Sequence, residues 1–147
     1  MKLTIELIPR TSFYNNVRQI LSKQEWEEIR HKVLRKANNR CEICNAIAEN
    51  RSLDCHEVWS FDDANYIQKL EKIIALCTKC HEVKHMGKAE IDGHFGRARN
   101  HFMKINDINI FDAHNLIVEA FDIWQQRSNH QWQLDITILN KKEAYLD

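Results

Sequence analysis

Apolar and polar residues alternate along this chain with a period that changes several times. Leu3-Thr-Ile-Glu-Leu7 has the two-residue alternation of a short strand, and Pro9 ends it. Ser22-Lys-Gln-Glu25 is a capping-box signature. Trp26, Ile29, Val33 and Ala37 follow it at helical spacing, which predicts a helix that stops at Asn38-Asn39. Residues 45–52 form a polar connector, residues 53–59 have a strand pattern, and Ser60 to Asn65 predicts a turn. Ile73-Ile-Ala-Leu76 is a short apolar run, a second strand or an extended loop. A helix is then expected from about Cys80, with Gly87 close to its end. A short helix fits residues 94–104. Ile110, Ala113, Ile117, Ala120, Phe121 and Trp124 make one apolar stripe of a longer helix. Trp132, Leu134, Ile136 and Ile138 alternate with polar neighbours and predict a closing strand.

Strands and helices in this order predict an α+β fold. The chain has 147 residues, of which 44% are hydrophobic, enough for one core and so one domain over 1–147. That domain divides into an N-terminal strand and helix (1–40), a central unit (41–88) and C-terminal helices with a strand (89–147). With 3 Gly and 1 Pro, long disordered linkers are not expected. No apolar run reaches membrane-spanning length and the first residues lack the apolar block of a signal peptide. The expectation is therefore a cytoplasmic protein with no membrane partner.

In that compartment thiols stay reduced, and paired cysteines mean metal more often than disulfide. Four of the five cysteines form two C-x-x-C pairs, Cys41/Cys44 and Cys77/Cys80. Each pair can grip a tetrahedral Zn²⁺, and two pairs close a four-thiolate site with no open position, which is structural. The second pair runs into His81 and His85. Four residues apart on a helix, their imidazoles share a face and can hold a second metal. Cys55, the odd cysteine, is read as a small buried apolar residue.

Formal net charge is zero, which argues against strong, non-specific nucleic-acid binding. The charge is uneven, however. Residues 1–50 carry nine Lys/Arg and six Asp/Glu, with Arg30, Lys32, Arg35, Lys36 and Arg40 leading into the first cysteine pair. The stretch fits either a solvated helix face or a phosphate contact.

Residues 41–85 resemble the zinc-stapled form of the HNH endonuclease motif, in which a β-hairpin and a helix cradle one divalent cation (a ββα-metal core). Leu53-Asp54-Cys55-His56-Glu57-Val58 matches the strand of that motif, and Leu76-Cys77-Thr78-Lys79-Cys80-His81-Glu82-Val83-Lys84-His85 matches its end. The resemblance implies a metal-dependent endonuclease hydrolysing phosphodiester bonds of DNA. His56, His81 and His85 would hold Mg²⁺, Mn²⁺ or Zn²⁺, and the four cysteines a structural zinc.

Two positions depart from the motif. Its second strand histidine, the general base, is Glu57 here, and its asparagine is Lys72. A one-residue shift of register would make His56 the base and Cys55 the ligand. Arg35, Lys36, Arg40, Lys72, Lys84 and Lys88 are the expected contacts to the nucleic-acid backbone. Trp59 is read first as core, with base stacking as its alternative. The rival function is a non-catalytic zinc module that binds nucleic acid or a protein. A homodimer through the 110–124 helix is a third possibility, and it requires that helix's stripe to be exposed.

Overall fold

The structure, a computed structural model, describes residues 1–48 and 53–147. Part of the connector expected at 45–52 therefore lies outside the described residues. The fold is α+β, with one small mixed sheet covered by helices. Among the described residues, no helix is long and apolar enough to cross a membrane.

Short helix α1 (Val17–Ile20) precedes α2 (Lys23–Ala37), which starts at the capping box. Ser22 accepts a hydrogen bond from the Glu25 N–H, and Glu25 reaches back to the Ser22 N–H. Asn38 ends α2 in the left-handed region (φ 49°), and Asn39 and Asn45 share that conformation in the loop that follows. Asparagine tolerates it better than most residues do.

Strands β1 (Leu53–Asp62) and β2 (Ile67–Cys77) form an antiparallel hairpin. Asp62 shapes its turn by accepting hydrogen bonds from the N–H groups of Ala64 and Asn65. The register slips between Val58 and Trp59, so Glu71 has no cross-strand partner. Strand β2 feeds directly into α3 (Thr78–Lys84), and the Cys77 thiol takes the N-cap position over the Cys80 N–H. His85 leaves the helical path (φ −106°, ψ 52°), and α4 (Met86–Ile91) starts a new direction. Helices α5 (Phe95–Asn106) and α6 (Ile110–Arg127) follow, and β3 (Gln133–Asp135) pairs in parallel with the start of β2.

Three expectations need correction. Residues 3–7 are extended but not a strand. Leu3 is buried and the Glu6 N–H bonds to the Lys84 carbonyl, so the segment docks on the end of α3 rather than on a sheet edge. The closing strand stops at Asp135, whose carboxylate accepts from the N–H and hydroxyl of Thr137 and turns the chain into a single 3-10 turn over Thr137–Asn140. Gly87 lies inside α4, because His85, not a glycine, is where α3 ends. The α6 stripe faces inward: Ala113 and Ile117 are buried and Trp124 donates to the Ile8 carbonyl, while Ile110 and the neighbouring Phe111 and Val118 are exposed.

Candidate metal centres

The sulfur atoms of Cys41, Cys44, Cys77 and Cys80 lie within 4.8 Å of one another. A tetrahedral zinc with bonds of about 2.3 Å separates its sulfurs by about 3.8 Å, and Cys44 and Cys77 are 3.8 Å apart. The donor set therefore fits a zinc. The first pair sits in a tight loop where the Cys41 N–H bonds to the Ala46 carbonyl and the Asn45 N–H to the Cys41 carbonyl. Glu42 clamps that loop to β2: its N–H donates to the Ala75 carbonyl, and its carboxylate accepts from the Ala75 N–H. On the outer side, His101 of α5 brings Nε2 to 3.3 Å from the Cys80 sulfur.

A second group lies beyond the first turn of α3. His56 from β1, His81 from α3 and His85 at its end bring one ring nitrogen each within 4.8 Å of the others. The Nε2 atoms of His81 and His85 are 3.1 Å apart. Nitrogens bound to one ion at about 2.0–2.1 Å in tetrahedral geometry would stand about 3.3 Å apart, so this group also fits a metal. Two of the three rings are held from behind by carboxylates. Asp54 Oδ2 lies 3.1 Å from His81 Nδ1, and Glu6 Oε2 lies 2.7 Å from His56 Nε2. A carboxylate on the far nitrogen fixes which nitrogen stays free for a metal, here Nε2 of His81 and Nδ1 of His56.

Burial dominates the titration of this cluster. Desolvation pushes His85 down to about 3, helped by the charges of His81 and His56. His81 also falls through desolvation, although Asp54 opposes the shift. The lowered pKa values of His81 and His85 suit metal binding, which needs the neutral ring.

Glu57 and Trp59 share the face of β1 opposite to His56. Even so, both residues line a hollow of about 430 Å³ that also reaches the three histidines. Burial raises the Glu57 pKa above the ordinary carboxylate value, against hydrogen bonds from the Arg18 N–H (3.3 Å) and the Trp59 indole N–H (3.3 Å). Cys55 borders the same hollow but does not join the histidine group. Its thiol is pushed up to about 11, chiefly by desolvation. The structure thus unites His56, not Cys55, with His81 and His85.

The basic residues divide. Lys84 is withdrawn from solvent (3% exposed), and its ammonium donates to Glu6 Oε1 at 2.7 Å and to Thr4 Oγ1 at 2.8 Å. The expectation that Lys84 meets phosphate is corrected: an ammonium surrounded by its own carboxylate and hydroxyl is not available to a ligand. Lys72 does not reach the histidine hollow. It lines a different depression, with Lys36, Glu42 and Asp147, where Lys36 pairs with Glu42 at 3.3 Å. Asn65 is tied to Asp62 in the hairpin turn. Arg40 donates to the Asn45 carbonyl beside the zinc loop, Arg35 is exposed on α2, and Lys88 is exposed at the hollow's rim, paired with Asp92.

Sequence reasoning missed Glu6, Gln68, Phe13, Tyr14 and Arg18. Gln68 is fully buried in β2, lines the hollow, and has a side-chain oxygen with no hydrogen-bond partner among the described residues. The signal for Glu6 was present, a lone acid between Ile5 and Leu7, but its partner lies 50 residues away. Neither a family model, nor a curated protein, nor a solved structure matches this chain.

Proposed function

We propose that this protein is a metal-dependent nuclease of HNH type that hydrolyses phosphodiester bonds of DNA. The observation that carries the reading is the convergence of His56, His81 and His85 where the β1–β2 hairpin meets α3, with Asp54 and Glu6 behind two of the rings. An antiparallel hairpin running into a helix, with a histidine from the hairpin and two from the helix, supports the ββα-metal reading that the sequence resemblance implies. The four-thiolate cluster at the start of the same helix supports a zinc staple.

When bound at the three imidazoles, a divalent cation supplies positive charge to stabilise the five-coordinate phosphorane-like transition state and the leaving alkoxide. The chain's own residues do the rest. Asp54 and Glu6 hold the rings in orientation. Glu57, desolvated and therefore more basic than an exposed carboxylate, accepts the proton of the attacking water. His56 is engaged through Nε2 with Glu6, so its part is ligation rather than proton transfer. Arg18 and Lys88 at the rim of the hollow meet phosphate oxygens.

One observation favours the second reading, a non-catalytic module. Both oxygens of Glu57 already accept hydrogen bonds within the protein. Nicking of supercoiled plasmid with Mg²⁺ or Mn²⁺, against EDTA, separates the two. A nuclease loses nicking in His81→Ala and falls roughly 10²–10⁴-fold in Glu57→Gln, the usual contribution of a general base. Metal-independent background in all three proteins would leave the module as the better account.

A further inference from the structure

The hollow over the histidines has walls unlike those of a duplex-binding groove. Beyond the metal-ligating rings, its lining includes Phe13, Tyr14, Trp59 and Gln68, whose side-chain oxygen has no hydrogen-bond partner among the described residues. Phe13 and Tyr14 are 55% and 74% exposed, and their rings meet edge to face with centroids 5.2 Å apart. Two neighbouring aromatics left in water at the edge of the site offer flat apolar surface beyond their contact with each other. Gln68 adds an acceptor in the hollow's wall that has lost water and gained nothing for it.

The cations point the same way. Tight duplex binding commonly rests on about 6–10 phosphate contacts. Here Lys84 is buried against Glu6, Lys72 and Lys36 belong to another depression, and the rim of the hollow offers Arg18 and Lys88. A volume of about 430 Å³ matches a single small ligand rather than the width of a double helix.

We propose that the hollow takes an unpaired nucleobase beside the phosphate at the metal site, so that the substrate is single-stranded or locally unpaired nucleic acid. Phe13 and Tyr14 stack on the base, the Gln68 side-chain oxygen accepts from the base edge, and Arg18 and Lys88 hold the flanking phosphates. The inference rests on the nuclease reading for its metal-bound phosphate, but base stacking can be measured without cleavage.

The test is fluorescence anisotropy of a labelled oligothymidylate of roughly 15 nucleotides, within the span of known single-strand sites. Its affinity is compared with that of the same strand annealed to its complement, in Ca²⁺ to suppress cleavage. The expected result is binding of the single strand at least about tenfold tighter than the duplex. Phe13→Ala and Tyr14→Ala should each weaken it by roughly 5- to 160-fold, the range for loss of one stacked base. Both side chains are exposed, so the variants should keep their zinc content and circular dichroism. Equal or tighter duplex binding, unchanged affinity in both variants, or no binding of either probe would overturn the proposal, the last pointing to a protein partner for the aromatic pair. Absence of metal-dependent cleavage of both plasmid and the single strand, alongside tight, Tyr14-dependent single-strand binding, would overturn the nuclease reading and leave this one standing.

Discussion

Glu6 carries two loads with one carboxylate. Oε2 meets the His56 ring at 2.7 Å and Oε1 meets the Lys84 ammonium at 2.7 Å. Burial alone would raise its pKa. The His56 hydrogen bond and the Lys84 charge outweigh that and hold it at about 2, so Glu6 is ionised at any working pH. An anion at that place keeps the proton of His56 on Nε2 and leaves Nδ1 for a metal. Glu6→Gln retains shape and one acceptor but removes the charge from beside Lys84. We expect its affinity for Mn²⁺ at the histidine group to fall about 10- to 100-fold, the usual cost of losing such a supporting carboxylate. The bound zinc per chain should stay unchanged. Isothermal titration with Mn²⁺ on zinc-loaded protein measures both, and an unaltered Mn²⁺ affinity would show that Glu6 acts only in folding.

At the scale of elements, α3 joins the two metal groups. Its seven residues (Thr78–Lys84) are too few to hold a helix in water by propensity. Cys77 caps it, Cys80 faces the other cysteines, and His81 begins the histidine group within the next residue. A metal that ties the start of α3 to the loop of Cys41 and Cys44 therefore also sets the angle at which His81 and His85 meet His56. Cys44→Ser should lower the zinc content and weaken Mn²⁺ binding at histidines it does not touch. Tight Mn²⁺ binding in a zinc-depleted Cys44→Ser protein would uncouple the two sites.

This element was also the most legible in the sequence, because its ligands are local and their spacing is the signal. The α2 capping box was legible for the same reason: Ser22 and Glu25 complete it between themselves. Residues 3–7 were misread because alternation reports one buried face without saying what buries it, and here the partner is the end of α3. Lys84 was misread as a phosphate contact because its partners, Thr4 and Glu6, lie 80 and 78 residues away in the sequence.

For the whole molecule, the buried neutral imidazoles make stability a function of pH. His85 has a folded pKa of about 3 against an ordinary 6.5, and His81 is shifted in the same direction, both chiefly because burial penalises the imidazolium. A depressed folded pKa means that the native state binds fewer protons than the unfolded chain below pH 6.5. The stability contributed by these rings is thus complete above that pH and is lost as pH falls toward 3. Each ring that stays neutral can cost up to about 1.4 kcal/mol per pH unit in that window. The N-terminal segment transmits this loss. Glu6 links it to His56 of β1, Asn106 at the end of α5 accepts from the Lys2 and Leu3 N–H groups, and Trp124 of α6 donates to the Ile8 carbonyl, so the segment that backs the histidine group is itself braced by two helices. In urea titrations without added Mn²⁺, the unfolding midpoint should hold steady from pH 8 to about 6.5 and then fall. The fall should be shallower in His85→Gln, which has no proton to gain. A midpoint that stays flat between pH 6.5 and 5 in the unsubstituted chain would mean that these rings protonate in the folded protein. The histidine pocket would then not be desolvated and ready for metal.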